Sequence, residues 1–128
     1  MKNAKNITFA QIQALWNACE ELGMRLFGWY HDNDYLHKLL ADDAPTGTRY
    51  REQEWWCIQN DLRNITIGNQ NYRVRANREL RELQDIDIWE AEGLTPEQKE
   101  REAELRREIR ETHEQDTKIK AVLAEYFW

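Results

Sequence analysis

The chain has 128 residues, a mass of 15.5 kDa and a net charge of −6. This is enough for one domain with a thin core, in which six Trp, five Tyr and three Phe supply much of the area to be buried. No apolar run reaches the roughly 18–20 residues of a membrane span, and two cysteines, Cys19 and Cys57, are too few for a disulfide scaffold or a structural zinc site.

The start, Met1-Lys2-Asn3-Ala4-Lys5-Asn6, leads into an amphipathic segment rather than a secretion signal, so the expected setting is the cytoplasm, without a membrane. Thr8 with Gln11 has capping-box spacing. The apolar stripe Ile12, Leu15, Trp16, Cys19, Leu22 and Leu26 then predicts a helix over about 8–27, with Cys19 as a buried, reduced thiol. Gly28 and Asp32-Asn33-Asp34 turn the chain into a short helix over 34–42. Asp42-Asp43-Ala44-Pro45-Thr46-Gly47 is a loop by its turn chemistry.

A third helix over 48–64 places Trp55, Ile58 and Leu62 on one face, with Trp56 beside it. Ile65-Thr66-Ile67, Gly68-Asn69-Gln70-Asn71 and Tyr72-Arg73-Val74-Arg75 then leave two readings open, a β-hairpin over 65–74 or a helix interrupted near Gly68. Leu80, Leu83, Ile86 and Trp89 predict a helix over 76–92, ended by Gly93 as C′ residue with Leu94 making the hydrophobic contact of a Schellman end. Thr95 as N-cap, Pro96 at N1 and Gln98 closing a capping box start a last helix over 96–127, about 45 Å long. Its first two-thirds are nearly all charge. Its end, Ile119, Val122, Leu123, Tyr126, Phe127 and Trp128, is apolar and has to dock. The expected fold is one all-α or nearly all-α domain over 1–128, a small helical bundle built on a C-terminal antiparallel helical hairpin.

Charge is unevenly distributed. Residues 46–81 carry seven Arg against four acids, whereas residues 82–92 carry Glu82, Asp85, Asp87, Glu90 and Glu92 without a base. On solvated helices such blocks commonly pair within the chain. As recognition surfaces they offer two alternatives. The acidic set Asp85, Asp87, Glu90 and Glu92 presents a nucleic-acid-like face to a basic protein surface. The set Tyr72, Arg73, Arg75, Arg78 and Arg81 offers guanidinium groups to phosphates and a ring for base stacking. Its order of strand, helix, short turn and helix resembles a ribbon-helix-helix DNA-binding arrangement.

The remaining candidates are aromatic and metal-binding. Trp56, Tyr126, Phe127 and Trp128, with Trp29-Tyr30, exceed what a thin core requires, and such residues anchor interfaces with a partner or a second copy. His31, Asp34 and His37 are the right ligand types for a divalent ion and suggest, as a third alternative, a metal-dependent hydrolase, but their spacing matches no metal signature. The chain has no Ser, no glycine-rich phosphate loop and no His near Cys57 in sequence. The expectation is therefore a non-enzymatic protein-interaction module without cofactor or metal, a small acidic regulator or inhibitor that binds a protein partner and self-associates. Nucleic-acid binding through the Arg cluster is the alternative.

Overall fold

The computed structural model describes residues 6–22 and 32–128. These form four helices, α1 (Phe9–Glu20), α2 (Asp34–Leu40), α3 (Gly47–Trp89) and α4 (Pro96–Tyr126), and no strand among the described residues. The fold is all-α. No helix among the described residues is long and apolar enough to cross a membrane. The chain divides into two compact units, Met1–Asn64 with Lys118–Trp128, and Ile65–Thr117.

In the first unit the capping box at the start of α1 forms as its spacing predicts. The Gln11 amide N–H donates to Thr8 Oγ1 (3.2 Å) and the Thr8 N–H to Gln11 Oε1 (2.8 Å). The helix buries Ile12, Leu15, Trp16 and Cys19. Burial pushes the Cys19 thiol up to about 12, which keeps it protonated and inert. The helix ends at Glu20, short of the predicted 27, so Leu22 of the predicted stripe is half-buried in the turn that follows, while Leu26 lies outside the described residues. α2 is capped by Asn33, whose side chain accepts from the Leu36 N–H (2.9 Å).

Trp55, Ile58 and Leu62 of α3 join Ile119, Val122, Leu123 and Phe127 in the buried set. Trp55 packs its ring against Phe127 (5.0 Å between centroids) and Tyr126 (6.2 Å). Of the adjacent tryptophans, Trp55 therefore faces inward at 7% exposure, while Trp56 is 40% exposed.

Arg51 is the polar centre of this unit. Its buried guanidinium donates to three main-chain carbonyls, Ile7 (2.5 Å), Leu40 (3.1 Å) and Ala41 (3.0 Å), and to Thr48 Oγ1 (3.2 Å). It also lies 3.6 Å from Asp42. The side chain thereby ties the segment before α1 and the end of α2 to the first turn of α3. Gly47 makes room for it, because a Cβ there would sit 2.5 Å from the Ala41 carbonyl oxygen and 2.7 Å from Arg51 Nη1.

In the second unit, α3 and α4 pack as an antiparallel pair. The β-hairpin expected at 65–74 does not form, and α3 runs unbroken through Gly68. The reason lies in three side chains of that segment. Asn69 donates to Gln115 Oε1 and Asp116 Oδ1 (both 2.8 Å), Tyr72 donates its hydroxyl to Glu108, and Arg73 pairs with Asp116 (2.7 Å). Each requires helical phase, and together they outweigh the strand propensity of Ile65, Ile67 and Val74.

Further along, Ala76, Leu80, Leu83, Leu94 and Leu105 form the apolar core of this unit, with Tyr72, Ile86 and Ile109 against it. Arg101 grips Glu79 with two hydrogen bonds (2.9 and 3.0 Å), and this bridge holds the Glu79 carboxyl below its ordinary value. α3 ends at Trp89, earlier than the predicted 92. The Gly93 N–H then bonds the Glu90 carbonyl (3.1 Å), and Gly93 takes φ +69°, which glycine adopts without strain. Leu94 is buried in the core of this unit with Leu80, Leu83 and Leu105, rather than against Trp89 in the last turn as a Schellman end would place it. The Thr95–Gln98 capping box opens α4 with both of its hydrogen bonds (2.8 and 3.1 Å).

Candidate interaction surface

A helix of 3.6 residues per turn whose buried face carries Ala76, Leu80 and Leu83 presents the opposite face, about 180° away, through residues 67, 74, 78, 81 and 85. On α3 those positions are Ile67, Val74, Arg78, Arg81 and Asp85, with Trp89 beside them and Ile88 at the margin of this face, and all are exposed. The apolar ones are exposed by 55% (Ile67), 57% (Val74), 71% (Ile88) and 82% (Trp89). Trp89, which the sequence groups with Leu80, Leu83 and Ile86 in one helical pattern, does not share their side of the helix. Counting from Leu83, six residues turn the helix by about 240°, so Trp89 points away from the face that Leu80 and Leu83 bury. Leu94 closes the core in its place.

The acidic set gathers where α3 ends. Asp85, Asp87, Glu90 and Glu92 are exposed, and none makes an ion pair among the described residues. An open depression of about 560 Å³ beside them is lined by Ile86, Glu90, Gly93, Thr95 and Gln98 among others. Trp89, the most exposed tryptophan among the described residues, thus stands with Ile88 on the outer side of α3, where Asp85 lies one turn before it, whereas Asp87, two residues before it, is about 200° round the helix. Sequence reasoning found the carboxylates and missed the two apolar residues between them, although their helical phase relative to Leu83 carried the signal.

The Arg cluster is divided. With the strand absent, Arg73 and Arg75 are not side by side but about 200° apart on α3, and the ribbon-helix-helix order is lost. Arg73 is consumed inside the unit by Asp116, not by the acidic block, and Tyr72 gives its hydroxyl to Glu108, which pushes the phenol up to about 12. Arg75, Arg78 and Arg81 remain exposed without an ion pair among the described residues. Arg78–Glu82 and Arg81–Asp85 have i,i+4 spacing but with the base N-terminal to the acid, the weaker of the two orders.

Of the terminal aromatics, Phe127 is buried at 1% exposure and Tyr126 is half-buried against Trp55, so both serve their own unit, whereas Trp128 is 54% exposed. The metal candidates do not assemble among the described residues. His31 lies outside them, Asp34 is exposed, and His37 packs as a ring against Trp16 (5.3 Å) and Phe9 (5.4 Å). No group of three or more His, Cys, Asp or Glu side chains there is arranged to hold a metal ion. Comparison with protein-family models, with curated proteins and with solved structures returns no match.

Proposed function

We propose that this chain is a non-enzymatic protein-interaction module, an acidic regulator that docks on a basic protein surface through the end of α3. The observation that supports this most is Trp89, 82% exposed beside Ile88 at 71%, with Asp85 one turn before it on the same side of α3 and Asp87, Glu90 and Glu92 exposed around the same helix end. A large apolar ring held in water by a folded helix is costly unless a partner covers it, and exposed aromatic anchors of this kind are what interface hot spots are made of. The carboxylates add attraction to a basic partner and repel acidic ones, in the way a nucleic acid would address the same partner. The depression beside Glu90 gives a partner side chain a place to seat.

The test is affinity capture of the tagged protein from lysate, with and without nuclease, compared between the native chain and two variants. These are Ile88→Ala with Trp89→Ala, and Asp85→Lys with Asp87→Lys and Glu90→Lys. The expected result is a stoichiometric protein that survives nuclease and is lost about tenfold or more with either variant while helicity is unchanged. Capture that is the same for all three proteins overturns the reading. Arg75, Arg78 and Arg81, exposed and without an ion pair among the described residues, support the second reading, binding of nucleic acid. Capture that disappears with nuclease, and with Arg→Ala changes at those positions, decides for it.

A further inference from the structure

The acidic and apolar surface at the end of α3 calls for a partner that is basic and apolar, and the same helix carries one just upstream. Along its outer face come Val74, Arg78 and Arg81, then Asp85, Ile88 and Trp89, all exposed. We infer that the partner of this surface is a second copy of the chain, whose α3 lies antiparallel against the first so that the basic stretch of each copy meets the acidic stretch of the other. This rests on the docking reading above and names its occupant.

A two-fold axis between Arg81 and Glu82 sets Arg78 level with Asp85 of the second copy, Arg81 level with its Glu82 and Val74 level with its Trp89, and symmetry makes every one of these contacts twice. The paired segment from Val74 to Trp89 is about 23 Å long. A parallel pairing instead stacks Arg on Arg and carboxylate on carboxylate, which is repulsive. The antiparallel pairing also accounts for two features that lack a role within one chain. These are the guanidinium groups of Arg78 and Arg81, exposed without ion pairs among the described residues, and the apolar Val74, Ile88 and Trp89 on the side away from the core. Both helix faces of α3 are then used, the inner by its own α4 and the outer by the second copy. A seam of one helix per copy is small, so the dimer is weak and concentration-dependent.

Sedimentation equilibrium of the purified full chain up to about 1 mM tests it, for the native protein, Arg78→Asp, Asp85→Arg and the double exchange. The native chain is expected to dimerise reversibly. Each single exchange puts like charges level twice per dimer and is expected to weaken association about tenfold or more, and the double exchange to restore it, with helicity by circular dichroism equal in all four. Arg78→Asp makes the net charge more negative and Asp85→Arg less so. An effect of overall charge therefore moves the two single variants in opposite directions, whereas specific pairing weakens both.

A native chain that stays monomeric throughout overturns the proposal, as do single exchanges that leave dimerisation unaltered or a double exchange that does not recover it. A monomeric chain whose capture of a different protein still depends on Trp89 overturns self-pairing alone and leaves the docking reading standing. A monomeric chain whose capture is indifferent to Trp89 removes both.

Discussion

Arg51 and Glu54 stand three residues apart on α3 and show how differently burial treats a charge. Arg51 is 6% exposed, yet its donors reach three carbonyls and a hydroxyl, so the cost of desolvation is offset by hydrogen bonds that water would otherwise supply. A lysine has one compact ammonium and cannot match that fork. Arg51→Lys is expected to lower unfolding stability by about 2–3 kcal/mol by leaving buried carbonyls unpaired, read as a lower midpoint in urea with unchanged slope.

Glu54 is the opposite case. Desolvation raises its carboxyl above the ordinary 4.5, the Trp16 indole offsets part of this, and the nearby Asp61 adds to the rise. A carboxyl whose pKa is higher in the folded than in the unfolded chain contributes stability below its unfolded value and loses it as pH rises through the folded value. Glu54→Gln, which cannot ionise, is therefore expected to raise the thermal midpoint at pH 7, with the gain vanishing as pH falls below 4.5. A pH series of melting curves for the two proteins measures this.

Among the elements, α3 departs most from what its local sequence suggests. Gly68-Asn69-Gln70-Asn71 is turn chemistry, and Ile65, Thr66, Ile67 and Val74 favour strands. The helix persists because the face toward α4 is polar there, with Asn69, Tyr72 and Arg73 answered by Gln115, Asp116 and Glu108. An apolar periodicity cannot report such a face, since its contacts are hydrogen bonds and an ion pair. Gly68 itself is exposed, and a Cβ there meets nothing within 4 Å. If the segment is helical, Gly68→Ala removes a flexible residue from a helix interior and stabilises the protein by about 0.5–1 kcal/mol. If it were a turn needing glycine, the same change would destabilise. Urea unfolding of the variant distinguishes the two by sign alone.

At the scale of the whole molecule, the net charge of −6 makes two copies repel at a distance. Any association has to come from local complementarity strong enough to overcome that repulsion. The exchange of Arg78 with Asp85 isolates this local term, whereas salt screens attraction and repulsion together and would leave its sign open. The same reasoning applies to a foreign partner, which gains from the overall charge of this chain only if it is itself basic.

The sequence by itself determined the helical class, both Thr–Gln capping boxes, the apolar stripe of α1 and the burial of Cys19, because each depends on neighbours within one or two turns. It also marked the unbalanced blocks of charge, which are a property of composition. Only the tertiary structure decided that residues 65–74 are helical, that Trp55 and Phe127 turn inward, that Arg51 joins three segments and that Ile88 and Trp89 are left in water. Those outcomes depend on groups distant in sequence. Asn69 meets Asp116, Arg51 meets Ile7, and Leu94 seals the core in place of Trp89, and the pattern around each residue is silent about partners that only the packed helices bring within reach.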